Sequence, residues 1–461
     1  MTCKVDISKE TRVFDPNPFL SNRVQRYAPG AIRRLLPLEN LPGMISLVAG
    51  KPNPEIFPFE RITLSLKGSN DEVVLSEEGL IDGLQYGLPG GNPDLVEWFE
   101  GFQTELHGID RNQTWASCVG NGSQELLHRT FYVLTDPGDP VLIETPAYPG
   151  VVGFLQAEGH MLVQANTDRH GLDPCELERT LLQWPKSRPC PKVLYTVPTG
   201  SNPTGRSCPE WRKVEILRLA KQFDFMILED DAYFFLNFDN ESNGRPRSYL
   251  SLEQEVNGET GRVVRFDSMS KIVSAGMRLG FLTGSLTIVN NVVKLTENIN
   301  LQPSSTSQTI ALSLFRHWGH AGLLEHCARA SDFYRQKRNV FAAAIEEQLK
   351  YHATWDIPTA GLFFWITLRL PPGEDTFELL SKKGMECGLL AIPGVAFMPD
   401  NRRTCQLRAS FSLVTEEQAN EACRRLAQLV DDSWRDWIQG TVPGHITDKN
   451  ELSNSAMTSL I

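Results

Sequence analysis

Short apolar segments alternate with helical patterns between about residues 115 and 285 of the chain. They are rich in Val, Ile, Leu and Phe, and polarity hardly alternates along them, which is typical of strands covered on both faces. Alternating strands and helices predict an α/β fold: a mostly parallel sheet with helices on both faces, and a ligand site at the carboxyl ends of the strands. One such helix is predicted over Pro209–Gln222, with Pro209 in its first turn. The predicted strands are PVLIET (140–145), KVLYTVP (192–198), FMILED (225–230), RVVRFDS (262–268) and RLGFLTG (278–284).

A different pattern follows. Residues 286–350 have the apolar spacing of long helices, and beyond 350 strands and helices alternate in a way that indicates a smaller α+β unit. Its elements are a strand over 361–370, a helix over 376–388, a strand over 406–413 and a helix over 416–438. We therefore predict an N-terminal arm over 1–60 that also joins the small unit, a large domain over 61–335, a small domain over 336–438 and a loose polar tail over 439–461.

Composition narrows the class of protein. A net charge of −11 and a pI near 5.4 argue against nucleic acid as a main partner, because an acidic protein repels phosphate backbones. We expect no membrane partner either, since no window of 18 apolar residues and no secretory signal are present. The nine cysteines are scattered without metal-binding spacing, so we expect reduced thiols, no metal site and a cytoplasmic location.

Two motifs after predicted strands could contact a flat, anionic ligand. In VGNGSQE, the backbone N–H groups of Ser123 and Gln124 would open a helix and favour a phosphate. The alternative is that Asn121 or Ser123 only caps the helix. In ETPAYPG, Tyr148 could stack on a ring, although a tyrosine on such a turn often serves packing alone.

Two further motifs carry polar groups to the same edge of the sheet. In YTVPTGSNPTG, Asn202 could donate from its amide to a phenolate oxygen. In LEDDAYFF, Asp230 could pair with a protonated ring nitrogen, and Tyr233 could reach the same ligand. A helix cap or a solvated turn is the alternative for the two carboxylates.

A lysine and two arginines complete the pattern. Lys271 lies among small residues in SMSKIVSAGMRLG, which leaves room for an adduct, and a nearby cation would lower its pKa. Arg278 could neutralise a phosphate. Arg408, inside the otherwise apolar QLRASFS, could bind a carboxylate in a bidentate pair, or it could form a structural ion pair. Together these are the parts that pyridoxal 5'-phosphate (PLP) and an amino-acid substrate require.

These motifs resemble those of class I aminotransferases of PLP fold type I, in the branch with kynurenine/α-aminoadipate and fungal aromatic amino-acid aminotransferases. The resemblance runs from about Ile45 to Val430. It implies an aspartate-aminotransferase-like fold, in which a large domain has a sheet of the seven-stranded type. The strings that carry it are ISLVAGKPNPEIFPF, LQYGLPGG, NGSQE, DPGDPVLIETPAYPG, YTVPTGSNPTG, LEDDAYFFL, SMSKIVSAGMRLGF and LRASFS.

The resemblance implies roles for the residues around the ring of PLP. Lys271 would hold the cofactor as a Schiff base and then move the proton between substrate and cofactor. Asp230 would keep the ring nitrogen protonated. Tyr148 would stack on the ring, and Asn202 and Tyr233 would hold its hydroxyl group.

At the phosphate, the resemblance implies contacts from Ser123 and Gln124, from Ser268 and from Arg278. It also implies that Tyr86, in LQYG, reaches the phosphate in a neighbouring subunit. The expected assembly is therefore a homodimer with shared active sites.

On the substrate side, the resemblance implies that Arg408 binds the α-carboxylate beside Asn202, with Gly50 and Arg33 lining the pocket. The chain departs from the family pattern at Ser201, where many relatives have a second asparagine, and at Lys51, where an apolar residue is common. Both departures flank the substrate side, so they bear on which amino acid is used.

We therefore expect a two-step transfer of the amino group of an aromatic L-amino acid (Trp, Phe or Tyr) to 2-oxoglutarate or an aromatic 2-oxo acid. The aromatic residues near Ile56–Phe59 and Phe363–Trp365 favour this choice, although they could equally be core. One alternative is a PLP-dependent lyase or decarboxylase on the same fold. The other is a PLP-binding regulator, which would need a DNA-binding domain that the roughly 45 residues preceding the motifs leave little room for.

Overall fold

The computed structural model describes residues 12–28, 35, 38, 41–48, 50–109, 114–238 and 246–440. Nearly all of the polar tail predicted over 439–461 lies outside these residues. In the described part, no helix combines the length and apolar character that crossing a bilayer requires.

The described strands fall into two main sheets and two short pairs. In chain order they are β1 (Arg12–Val13), β2 (Thr63–Ser65), β3 (Glu72–Val74), β4 (Trp115–Gly120), β5 (Pro140–Thr145), β6 (Met161–Asp168), β7 (Gly171–Leu172), β8 (Val193–Thr196), β9 (Met226–Asp230), β10 (Glu259–Thr260), β11 (Val263–Ser268), β12 (Gly280–Ser285), β13 (Ala353–Trp355), β14 (Phe363–Leu368), β15 (Ile392–Pro393) and β16 (Gln406–Ser410).

The central sheet has the order β4-β12-β11-β9-β8-β5-β6-β7. The pairs from β11 to β6 are parallel, as predicted. Strand β12, from the RLGFLTG segment, runs antiparallel to both neighbours, and the two-residue β7 adds an eighth strand antiparallel to β6. An apolar segment shows that a strand is buried and leaves its direction open, which is why the sequence did not separate β12 from the parallel strands.

Helices connect and cover these strands. They are α1 (Asn22–Gln25), α2 (Glu77–Leu84), α3 (Pro93–His107), α4 (Ser123–Leu134), α5 (Pro149–Ala157), α6 (Pro174–Leu182), α7 (Glu210–Phe223), α8 (Tyr249–Asn257), α9 (Leu286–Ile299), α10 (Ser305–Leu349), α11 (Thr376–Glu378) and α12 (Glu416–Ile438). The prediction that Pro209 lies in the first turn of α7 was wrong. Its ψ of 156° is extended, so Pro209 is the residue before the helix.

Successive side chains of the central strands point into two different cores. Val193 and Tyr195 pack on the face that also holds α3 to α5, whereas Leu194 packs on the face that holds α6 to α8. In the same way, Met226 and Leu228 pack on the first of these faces and Ile227 packs on the second. Full burial of a large apolar side chain contributes roughly 1.5–3 kcal/mol, so two dry faces explain the nearly uninterrupted apolar segments.

The smaller sheet is antiparallel, in the order β13-β14-β16-β15, and packs on α10 and α12. Helix α10 has non-helical backbone at Gly319, where φ is 64°, and it continues without further interruption to Leu349. The domain boundary predicted between 335 and 336 therefore falls within a helix. The segment predicted as a helix over 376–388 begins as α11 and continues as a π-helix over Leu379–Gly384.

A charged cluster lies inside the large unit, where β9 and β11 end. Arg265 is fully buried, and its guanidinium lies 2.9 Å from Asp231, 2.9 Å from Asp267 and 3.4 Å from Glu229. Burial raises the pKa of Asp267, and the charge of Arg265 opposes that effect. The arginine thus compensates several carboxylates that have left water.

We expect Arg265→Met to destabilise the protein by about 3–5 kcal/mol, because removing one partner leaves buried charges uncompensated. Arg316→Met is the matched control, since Arg316 forms an exposed pair with Asp94 at 2.6 Å. Such a pair contributes at most about 1 kcal/mol. Urea unfolding of both variants measures the difference, and equal losses would contradict the importance of the buried cluster.

Candidate active site

A cavity of about 330 Å³ opens where loops leave the carboxyl ends of the central strands, which is where an α/β sheet places its ligands. This volume falls in the range of small-molecule sites, roughly 300–1,000 Å³. The cavity brings together ten of the site residues predicted from the sequence with several that were not. Its lining consists of Ser123, Gln124, Tyr148, Val197, Asn202, Asp230, Ala232, Tyr233, Ser268, Ser270, Lys271, Ala275, Arg278, Phe363 and Arg408.

One end of the cavity is built to bind an anion. Helix α4 begins at Ser123 after Gly122, which has a φ of 88° and offers no side-chain cap, so the first N–H groups of the helix remain as donors. The guanidinium of Arg278 lies against Gly122 so closely that a Cβ there would be 2.4 Å from its Nη2. The alternative that Asn121 or Ser123 merely caps this helix is therefore wrong.

Arg278 itself is held in a left-handed backbone conformation, with φ of 50° and ψ of 49°. Its guanidinium donates to the carbonyl of Asn121 and to the hydroxyl of Ser270, both at 3.3 Å. The hydroxyl of Ser268 accepts from the backbone nitrogen of Ser270 at 3.3 Å, which orders the turn below. The result is a cation and helix N–H groups on two sides of one pocket.

Lys271 ends the short 3₁₀ turn Met269–Lys271, directly after β11. Burial lowers the pKa of its ammonium, and the charges of Arg278 and Arg408 lower it further, against an opposing effect of Asp230. A lower pKa increases the fraction of the neutral amine, which is the nucleophilic form.

Asp230 is buried at the end of β9. Its Oδ2 accepts a hydrogen bond of 2.8 Å from the hydroxyl of Tyr195, whereas Oδ1 has no hydrogen-bond partner in the described part of the chain. Burial raises the pKa of this carboxyl to about 7, and the hydrogen bond from Tyr195 opposes the rise. A buried oxygen that accepts no hydrogen bond raises the free energy of the folded protein. A ligand that donates a hydrogen bond to Oδ1 would remove this cost.

Three side chains surround the middle of the cavity. The phenol of Tyr233 is buried, and burial together with the charge of Asp230 raises its pKa, so it remains a hydroxyl donor. Asn202 uses its amide oxygen to accept from Arg408 at 2.8 Å, which leaves its nitrogen as the group that can donate to a ligand. Beside the half-buried Tyr148, a Cβ on Gly150 would be 2.6 Å from the phenol carbon Cζ, so that glycine gives the ring its space.

Arg408 comes from β16 of the smaller sheet and reaches the cavity from the opposite side. Its guanidinium lies over the rings of Phe363, at 4.1 Å, and Phe397, at 5.2 Å. Burial lowers its pKa, and its Nε has no hydrogen-bond partner among the described residues. No carboxylate in the described part forms an ion pair with it, so the structural ion pair considered from the sequence is not what holds this arginine. A ligand carboxylate fits the remaining donors.

Three predicted site residues are not in this cavity. Tyr86 is 57% exposed, and Gly50 is exposed with no atom within 4 Å of where a Cβ would lie. Arg33 lies outside the described residues. Their roles stay predictions that concern a second subunit or the N-terminal arm.

Two functional residues were missed in the sequence. Tyr195 was read only as part of a buried strand, and Phe363 only as a possible specificity residue. Tyr195 and Asp230 fall on the same face because of the register in which β8 and β9 pair, which the sequence does not show. The contact of Phe363 with Arg408 depends on β14 pairing with β16, which no local pattern shows.

The family model for class I and II aminotransferases matches residues 85–426. The chain belongs to this family. It is similar to the aminotransferase tdiD of Emericella nidulans, with 60% identity over 92% of this chain and 98% of that protein. It is also similar to the mitochondrial kynurenine/alpha-aminoadipate aminotransferase of Mus musculus, with 37% identity over 85% of this chain and 92% of that protein.

Among solved structures, the aromatic aminotransferase Aro9 from C. albicans has a TM-score of 0.81 and 25% identity, and the match covers 93% of this chain and 99% of that one. The aspartate-aminotransferase-like fold is thus confirmed, as are the assignments to the aminotransferases and to PLP. In the described residues, no group of His, Cys, Asp or Glu side chains has a metal-binding arrangement.

The residues of the cavity fit PLP. The open helix end and Arg278 match a phosphate, the unpartnered Oδ1 of Asp230 matches a protonated ring nitrogen, and Lys271, whose pKa is lowered, lines the same cavity. When bound, PLP supplies the electron sink for a substrate's amino group. The chain's own residues would hold the ring through Asn202 and Tyr233, move a proton at the amine of Lys271 and orient the substrate.

We expect the cofactor-free protein to lose stability as the pH rises from about 4 to about 7, partly because of Asp230. Its pKa is 3.8 in the unfolded chain and about 7 in the folded protein, so only the folded protein holds this proton in that range. The contribution is present below the unfolded pKa and is lost through the folded one.

In Asp230→Asn this proton is absent, so the free energy of unfolding should fall less steeply, by about 1.4 kcal/mol per pH unit. Other buried carboxyls with raised pKa values, such as Glu144 and Glu253, contribute equally to both proteins and cancel. Urea unfolding at several pH values gives the two slopes. Parallel slopes would contradict the raised pKa of Asp230.

Proposed function

We propose that this aminotransferase moves the amino group of an aromatic L-amino acid (Trp, Phe or Tyr) to a 2-oxo acid such as 2-oxoglutarate or an aromatic 2-oxo acid. The observation that carries the proposal is the site of Arg408. Its guanidinium lies over two aromatic rings, those of Phe363 and Phe397, and Phe363 lines the cavity. A flat side chain on the substrate would find a flat, apolar neighbour beside the carboxylate site.

The comparisons support the same choice. Similar proteins are named for kynurenine and alpha-aminoadipate and for aromatic substrates, and kynurenine carries an aromatic ring in its side chain. A lyase or decarboxylase on this fold, and a PLP-binding regulator, receive no such support. A lyase or a decarboxylase would release ammonia or carbon dioxide and would not need an oxo acid.

Lys271 and the donor can be tested together in the absorption spectrum of the purified protein with PLP. We expect L-tryptophan, added without an oxo acid, to convert the visible band into the band of pyridoxamine phosphate in the wild type and to have no such effect in Lys271→Ala. In steady state, we expect kcat/KM for aromatic donors to exceed that for aspartate and the branched-chain amino acids by about tenfold or more. A panel in which aspartate or valine outran the aromatic donors would contradict the substrate proposal and leave the enzyme class intact.

We also propose a homodimer with shared active sites. Two segments, 44–59 and 85–88, carry exposed apolar side chains, and they are in contact, since the side chain of Gln85 donates to the carbonyl of Pro52 at 2.9 Å. Exposed apolar side chains on adjoining segments favour a protein partner. The exposed residues are Met44, Ile45, Leu47, Ile56, Phe59, Tyr86 and Leu88.

Tyr86 provides the test of shared sites. We expect Tyr86→Phe to weaken PLP binding about tenfold or more, because it removes a hydrogen bond to a charged phosphate. Heterodimers of Tyr86→Phe and Lys271→Ala chains should recover wild-type affinity at the site that keeps Lys271, since the other chain supplies the tyrosine. No recovery in purified heterodimers would place the action of Tyr86 within its own subunit.

The predicted cytoplasmic location stays a prediction. The eight cysteines in the described part of the chain are all free thiols, which supports a reducing compartment.

A further inference from the structure

Tyr195 and Asp230 meet because of the register of two parallel strands. Residues Tyr195 of β8 and Leu228 of β9 are paired, so Asp230 lies two residues further along on the same face. The tyrosine is fully buried, Asp230 is 6% exposed, and the bond between the tyrosine hydroxyl and Oδ2 is 2.8 Å. No solvent competes for this bond.

The arrangement at Asp230 is one-sided, unlike that of the buried Glu229 and Asp267; the neighbouring Asp231 also has one oxygen without a partner among the described residues, but it does not line the cavity. Each carboxylate oxygen of Glu229 accepts a hydrogen bond from a backbone N–H, and both oxygens of Asp267 accept hydrogen bonds from the guanidinium of Arg265. Asp230 has a donor on Oδ2 only, and its other oxygen is buried and unpartnered among the described residues, in the wall of the cavity. The hydroxyl of Tyr195 therefore fixes which oxygen is left for the ligand.

We infer that Tyr195 is a positioning residue for the reaction: its hydroxyl holds Oδ2 of Asp230, orients Oδ1 toward the ring nitrogen of PLP and helps to keep that nitrogen protonated.

The electrostatics around Asp230 make this hydrogen bond consequential. Burial, Asp231 and Asp267 all raise the pKa of Asp230, whereas the hydrogen bond of Tyr195 and the charge of Arg265 lower it. Without the hydroxyl, Asp230 becomes more basic and attracts the proton that it shares with the ring nitrogen. The ring then carries less positive charge and withdraws electrons less strongly.

Tyr195 remains a donor throughout the working pH range. Burial raises the pKa of its phenol well above 10, and the nearby charge and hydrogen bond of Asp230 raise it further, with smaller effects of Tyr148 and Glu144. Its action is thus constant with pH, and any titration seen in the active site belongs to another group.

A purely structural role is the competing explanation, because the ring of Tyr195 also packs in the core near Phe131, with ring centroids 6.2 Å apart. Tyr195→Phe keeps that ring and removes only the hydroxyl. Tyr249→Phe is the matched control: Tyr249 is also fully buried in the same unit, and its hydroxyl lies 3.9 Å from the sulfur of Cys208.

The decisive experiment compares the binding of PLP with that of its carbocyclic analogue, in which a C–H replaces the ring nitrogen, by fluorescence titration of cofactor-free protein. We expect Tyr195→Phe to weaken PLP about tenfold, the effect of a lost hydrogen bond to a charged group, and to change the affinity for the analogue by less than about twofold. Tyr249→Phe should change neither. Equal weakening of both compounds by Tyr195→Phe, or no weakening of either, would overturn the inference.

Two readouts on the PLP-loaded enzyme accompany the binding data. The visible absorption band of Tyr195→Phe should titrate at a higher pH than that of the wild type, because a less positive ring disfavours loss of the proton at the nitrogen joined to Lys271. The variant should also lose more in kcat than it changes KM. A band that titrates as in the wild type, or a loss confined to KM, would contradict a role at the ring nitrogen.

Discussion

The charge balance around Arg265 is the constraint on which the rest of the active site depends. Strands β9 and β11 bury several carboxylates at the edge of the sheet where the ligand binds, and carboxylates leave water only at a high cost. Arg265 compensates the three that face away from the cavity, namely Glu229, Asp231 and Asp267. Asp230, on the opposite face, is left with a tyrosine hydroxyl and an open oxygen. The same cluster thus stabilises the fold and keeps one acid ready for a cationic ligand.

The second organising contact joins the two sheets across the cavity. Arg408 belongs to β16, and Asn202 belongs to the loop after β8, yet their side chains are hydrogen-bonded at 2.8 Å. Because both residues line the cavity, this hydrogen bond couples the position of the smaller sheet to the geometry of the site.

Much of the fold could be predicted from the local sequence pattern, because a strand that is buried on both faces is almost entirely apolar. For example, PVLIET coincides with β5 over its whole length. Lys271 and Asp230 could also be predicted, since they lie where parallel strands end together, whereas Arg278 precedes β12 and was predicted from its motif. The direction of β12 and the hydrogen bond from Tyr195 could not be, because both depend on the pairing of distant segments. The roles predicted for Tyr86 and Gly50 stay predictions: that of Tyr86 concerns a neighbouring subunit, and that of Gly50 concerns the N-terminal arm.

The contact between Gly122 and Arg278 determines how this scaffold could be redesigned. The phosphate end depends on backbone shape: a left-handed glycine, a left-handed arginine and less than 3 Å of space for any added carbon. Exchange of one cation for another at that end would preserve charge and still lose the fit. New substrate preferences must therefore come from the opposite wall, where aromatic rings around Arg408 can change size while the cofactor keeps its place.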